Sequence, residues 1–249
     1  GAPRKQLVES VGNRPAEVVE SLFSAEEPEA FQREMQTLLR AAIATDNVRQ
    51  LAAQWVYRML HTPAPLKEKM TLFWHGHFAT SAVKVGEVRL MQTQNELLRK
   101  YALGNFPELT LEISRDPAML LYLDSATNRK SHPNENYARE IMELFCLGEG
   151  MYTEQDVKEL ARCFTGWEIK RERYRFNQYQ HDAGTKTVLG VAGVKSGEEA
   201  IRIVTEHPAA PRFIAQKLFR FFVMDEPEPT DELLDPLTRQ LIDDQMNVG

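Results

Sequence analysis

Apolar residues recur at three- and four-residue spacing over most of this chain, which predicts helices sharing one core. The spacing predicts short helices over residues 3–11 and 15–23, the second with Pro15 at its first position. A long helical pattern follows from Pro28 to Leu60, carried by Phe31, Met35, Leu38, Leu39, Ala42 and Ile43, then Leu51, Trp55 and Met59. Its joint is expected at Thr45-Asp46-Asn47, where an N-cap is at hand, and its stop at Thr62-Pro63-Ala64-Pro65. Leu66, Met70, Phe73 and Trp74 open the next helix. Further helices are expected over 87–102, over 106–115 behind Asn105, and from Asp116-Pro117 to Leu123. Thr153 with Asp156 starts another, Ser196 with Glu199 caps one over 197–206, and Phe213 to Phe222 marks a strongly apolar one. A last helix, capped by Thr230, is expected to be cut by the chain end. Only between Glu168 and Val194 does the pattern turn to short extended segments among glycines and polar residues. The fold expected is therefore mainly α, a single multi-helix domain over 1–249, truncated at one or both ends, with a small β-hairpin-like excursion near 168–194.

The most polar helix start lies at Asn128–Gly148. Pro133 and Asn134 suit a helix entry, and Glu135 puts negative charge in the first turn, where the macrodipole favours it. Tyr137, Ala138, Ile141, Leu144 and Phe145 form one apolar face. At about 100° per residue, Asn136, Arg139 and Glu143 fall opposite, with Glu140 on the border. Two readings fit: a solvated face with Glu/Arg pairs, or a helix buried on both sides whose polar face forms a hydrogen-bonded or metal-binding centre.

The helix opened by Leu66 ends in Trp74-His75-Gly76-His77. Residues two apart on a helix point about 200° from each other, so His75 and His77 cannot share a metal while the helix continues. His77 continues the apolar stripe and is predicted to face the core, where its ring needs a partner; His75 points away. A break at Gly76 would free both rings. His181-Asp182, an adjacent pair in the non-helical excursion, reads either as a turn feature or as a ligand offered from outside the helical body.

Composition narrows the function classes. Thirty basic and 36 acidic residues give a net charge of −6, with no sustained basic run, which argues against a nucleic-acid surface. No apolar stretch reaches the roughly 20 residues of a membrane span. Phosphate-loop, dinucleotide, HExxH and nucleophile-elbow motifs are absent. The two cysteines, Cys146 and Cys163, form no CxxC; they are either core thiols or a single disulfide.

The runs LFWHGHFAT (72–80), NRKSHPNENYAREIMELF (128–145), YTEQDVKELARCFTGW (152–167), HDAGTKTVLG (181–190) and HPAAPRFIAQKLFRFFV (207–223) resemble successive blocks of one bacterial family, domain-of-unknown-function family 1800. The resemblance is strong from about Leu66 onward. It implies that His77, His132, Asn134, Glu135, Asn136, Arg139, Glu140, Glu143, Gly166, Trp167, His181 and Asp182 are the distinctive positions, whereas Cys146 and Cys163 depart from the family pattern. It implies an exported protein, in the periplasm or outside the cell, a sulfatase-like partner and a polysaccharide setting. It also implies that the start of the family domain lies outside this chain.

Three functions are expected from these residues. In the first, an enzyme uses His77, His132, Glu140 and Arg139 catalytically and Asn134, Glu135, Asn136, Glu143, Trp167 and Asp182 in binding. A divalent metal on His77, His132 and His181 would suit imidazole chemistry. In the second, the polar helix is an internal network of a non-catalytic scaffold. The third is a carbohydrate-binding module using Tyr174, Phe176 and Tyr179.

Overall fold

Prolines and short polar caps divide the chain where their chemistry demands. The computed structural model describes Gly12 and residues 14–249, so the helix expected over 3–11 lies outside the described residues. Helix α1 (Pro15–Phe23) begins on its proline, and α2 (Glu29–Ala44) and α3 (Val48–His61) divide at the expected joint. There Asp46 takes a positive φ, and the Asn47 side chain accepts from the Arg49 amide at 2.9 Å. Pro65 starts α4 (Pro65–His77), followed by α5 (Ala82–Val85) and α6 (Val88–Lys100). Asn105 caps α7 (Phe106–Ser114) and Asp116 caps α8 (Pro117–Tyr122), each accepting an amide of the first turn. After α9 (Asn136–Glu140) come α10 (Glu154–Cys163), α11 (Gly197–Thr205), α12 (Ala210–Phe222) and α13 (Asp231–Asp243).

Two antiparallel hairpins fill the expected excursion: β1 (Trp167–Lys170) with β2 (Arg173–Phe176), and β3 (Lys186–Val188) with β4 (Val191–Val194). The architecture is mainly α, in a single domain, with these two small sheets as its only strands among the described residues.

The core is centred on α4. Trp74 is fully buried, stacks on Phe78 and Phe106, and donates its indole N–H to the Ala102 carbonyl at 3.0 Å. Around it pack Leu98, Leu109, Ile113, Ile141, Leu160 and Phe164, which joins helices α6 to α10 into one apolar body.

Two expectations need correction. The polar helix does not run unbroken from Asn134. Its side chain instead accepts from the Asn136 amide at 3.0 Å, and the helix changes after Glu140 into a wider π turn over Ile141–Cys146. The last helix closes at Asp243, and Phe106 N–H reaches back to the Met246 carbonyl at 3.0 Å.

Candidate functional site

Helix α4 is unbroken through Gly76, so the HxH arrangement is excluded as a shared ligand pair. His75 lies half-buried beside Trp55, with ring centroids 5.0 Å apart. His77 faces inward, as its stripe predicts, and is packed by Phe73, Trp74, Phe78 and Phe145. Its Nε2 stands 2.9 Å from the Phe145 carbonyl oxygen. A carbonyl only accepts, so Nε2 carries the proton and donates. Nδ1 is left with a lone pair and no hydrogen-bond partner among the described residues. Burial, reinforced by the charge of Lys217, pushes the imidazole down to about 3, so it is neutral across the physiological range.

A cleft of about 480 Å³ opens where α4 meets α12, and His77 is among its walls with Phe73, Lys217, Arg220, Phe221 and Asp225. Arg220 is held by Asp225 through contacts of 3.0 and 2.8 Å. Lys217 has no ion-pair partner among the described residues; its ammonium sits 4.8 Å from the Phe213 ring centroid. Burial first, and Arg220 second, lower its pKa. The cleft thus combines one uncompensated cation, one paired guanidinium and one neutral imidazole.

The remaining predicted residues lie elsewhere, in separate hydrogen-bond networks or on the surface. His132 is exposed and closes a tight turn with its amide on the Arg129 carbonyl at 3.0 Å. Arg139 pairs with Glu154 at 2.7 Å and Glu135 at 3.4 Å, on the outside of the molecule. Glu143 accepts from the Tyr152 hydroxyl at 2.7 Å. Asn136 is exposed, and Glu140 is half-buried with no partner among the described residues; burial and then Glu143 raise its pKa. The polar face is therefore the solvated one, and the centre joining Glu140 to histidines does not form. No group of three or more His, Cys, Asp or Glu side chains among the described residues is placed to hold a metal ion, so His77, His132 and His181 do not converge.

His181 and Asp182 join the hairpins to α10. The His181 ring bridges two backbone carbonyls, Thr165 O at Nδ1 and Lys195 O at Nε2, each 2.8 Å away. Asp182 accepts from Arg162 at 2.7 Å, which lowers its pKa, and its amide donates to the Thr165 hydroxyl at 2.8 Å. Trp167 is buried against Phe164 and Tyr174. Tyr174 is half-buried, which leaves Phe176 and Tyr179 as the exposed rings of the three expected to meet sugar.

The residue that organises this region was not singled out from sequence. Buried Asn128 donates Nδ2 to Ala161 O and accepts the Asn134 amide at Oδ1, both at 2.9 Å, while its own carbonyl takes the Gly166 amide at 3.0 Å. Buried Glu68 was also missed. It accepts from Arg99 Nε at 2.6 Å and from Trp55 Nε1 at 2.8 Å. Its flanking Lys67 and Lys69 make it read as part of an ordinary charged helix face. Cys146 and Cys163 are both buried free thiols, and burial raises both, Cys163 to about 12, which leaves them unreactive.

A mainly helical domain with a neutral internal histidine beside a cationic cleft is the class that fold and site define. Within it, the chain belongs to the family described as "Protein of unknown function (DUF1800)", which matches residues 1–248 and bears out the resemblance. Neither the comparison with curated proteins nor that with solved structures returned a match. No helix among the described residues is long and apolar enough to cross a membrane.

Proposed function

We propose that the protein binds a small anionic ligand in the cleft between α4 and α12, with Lys217 holding the anion and the neutral His77 ring accepting a hydrogen bond from the same ligand. The observation that carries this reading is the buried His77 ring, whose Nε2 proton is committed to Phe145 while Nδ1 has no partner among the described residues. An orphaned polar atom of a buried side chain costs stability unless something else uses it. An uncompensated lysine beside the same cleft supplies the complementary charge for an anion. In the exported, polysaccharide-associated setting that the family resemblance implies, the anion would be an acidic substituent on a sugar, presented with a sulfatase-like partner.

Titration calorimetry with acetate, a sugar phosphate, a sugar sulfate and a uronate tests it. One of these should bind the wild type and lose at least about tenfold in affinity in Lys217→Ala, since removing a charged hydrogen-bond partner costs roughly 1.5–3 kcal/mol. Absence of binding by all four, or equal binding by the variant, rejects the cleft as an anion site. The scaffold reading draws support from a different observation: Asn128, His181 and Asp182 are all consumed in joining loops, as internal stitching requires.

A further inference from the structure

The hairpin of β1 and β2 inverts the charge of the chain. Lys170, Arg171, Arg173 and Arg175 lie within six residues that contain one acid, Glu172, in a protein of net charge −6. Register places Lys170 opposite Arg173 and Glu168 opposite Arg175, so these two pairs share the outward face. Trp167, Ile169, Tyr174 and Phe176 share the other face. Arg175 is neutralised by Glu168 at 2.9 Å. Lys170, Arg171 and Arg173 have no ion-pair partner among the described residues, and with Arg175 they surround an open hollow of about 580 Å³.

The hairpin breaks two local rules to achieve this. Like charges at directly opposed positions destabilise a strand pair, and Lys170 faces Arg173. The two-residue turn between the strands puts Arg171 at φ 53° and Glu172 at φ 60°, where asparagine or glycine sits without strain. The opposite face, where Trp167, Ile169 and Tyr174 pack on the core, holds the hairpin in place against both costs. Local conflict of this kind, all of it concentrating cations at one exposed tip, marks a functional surface.

The geometry points to this hairpin as a docking surface for an acidic polysaccharide, distinct from the His77 cleft. The tip, Lys170-Arg171-Glu172-Arg173, offers no apolar side chain to enter a bilayer. The acidic body of the protein, net charge −6, opposes a long rigid duplex that must run past it, whereas a flexible glycan can meet the hairpin tip alone. Tyr179 (76% exposed), just beyond the end of β2, supplies free aromatic surface for a sugar face.

The test is retention of the intact protein on dextran sulfate and on polygalacturonate at low salt, with neutral dextran as the reference. Wild type should be retained on at least one acidic matrix and released by rising salt. The triple variant Lys170→Ser, Arg171→Asn, Arg173→Ser should bind about tenfold or more weakly, as expected for losing several ionic contacts. Its melting temperature should be unchanged or higher, because asparagine relieves the turn and the like-charge pair is gone. Arg40→Ser, which removes an exposed cation on α2 far from both sites in sequence, should bind as wild type does, and a monomeric sugar sulfate should not release the protein, which separates this surface from the cleft. Retention no better than on neutral dextran overturns the proposal, as does undiminished retention of the triple variant. Tighter binding of duplex DNA or of phosphatidylserine vesicles at the same salt would reject the polysaccharide as occupant.

Discussion

His77 donates through Nε2 to the carbonyl oxygen of Phe145, 2.9 Å away and 68 residues later in the chain. The bond ties α4 to the π turn that follows α9, and it satisfies a carbonyl near a helix end, where an intrahelical donor is lacking. It also fixes the imidazole in the neutral form, because a second proton would be buried among aromatic rings and near Lys217.

That protonation state makes acid stability a direct probe of His77. The folded-state pKa is lowered to about 3 from an ordinary 6.5, so between these values the unfolded chain binds the extra proton. Stability contributed by the neutral ring is complete above about 6.5 and is lost as pH falls toward 3. His77→Gln keeps a donor for Phe145 but cannot titrate. Urea midpoints from pH 7 to pH 3.5 should fall more steeply for wild type than for this variant, by an excess on the order of 3 kcal/mol. Parallel curves would mean that the ring is already charged in the native state.

Asp116 works in the opposite direction. Burial raises its carboxyl to about 6 from 3.8, against hydrogen bonds from Met119 and Gln94 that favour the anion. Between these values the folded state holds the extra proton, so its contribution falls as pH rises from about 4 to 6. Asp116→Asn, which keeps an acceptor for the Met119 amide, should remove this loss. The variant should gain on wild type between pH 4 and pH 7, by roughly 2–3 kcal/mol, and a melting series in pH would show it. A constant offset between the two proteins across the series would rule out a raised carboxyl.

Glu140 and Glu68 differ in how the fold treats a carboxylate. Glu140, which would be buried and paired if the polar helix were enclosed on both sides, is half-buried with no partner among the described residues. Glu68 is almost fully buried and shared by Arg99 and Trp55. Removing one side of a buried pair strands the other charge, so Glu68→Ala should cost roughly 3–5 kcal/mol. Glu140→Ala should change stability by less than about 0.5 kcal/mol. Denaturant titration of the two variants side by side decides the matter, and a larger loss for Glu140→Ala would overturn the assignment.

What sequence could show here was what local chemistry controls. Pro15, Pro65, Asn47, Asn105, Asp116, Thr153 and Ser196 set helix starts through their own backbone limits or side-chain acceptors, so those boundaries were legible. The inward face of His77 was legible for a similar reason, since it continues one stripe of one helix. Glu68 was not, because α4 is buried on more than one side and a single stripe cannot reveal a second buried face. Asn128 was hidden because its partners, Ala161, Asn134 and Gly166, come from separate segments brought together only by the fold. Lys217 and Arg220 lie on an amphipathic helix where cations ordinarily meet solvent; only the approach of α4 turns that face into a cleft.

Gly166 offers the sharpest test of how the hairpins are joined to the helical body. Its φ is +82°, which L side chains rarely adopt, and a Cβ built there would stand 2.5 Å from the Asn177 carbonyl oxygen and 3.0 Å from the His181 amide nitrogen. Both neighbours are backbone, and Gly166 is hydrogen-bonded on both sides, by its amide to Asn128 and by its carbonyl to the Asn177 amide. Neither can withdraw without breaking the junction that also seats His181. Gly190 has a similar φ of +79° but nothing within 4 Å of the same Cβ, so it isolates the conformational cost alone. Gly190→Ala should destabilise by about 1 kcal/mol. Gly166→Ala should cost roughly 2–4 kcal/mol, the excess being the steric term, and should alter the near-ultraviolet circular dichroism of the adjacent Trp167. Equal losses in the two variants would show that the loop carrying Asn177 and His181 yields freely, and that the junction is not what fixes the hairpins in place.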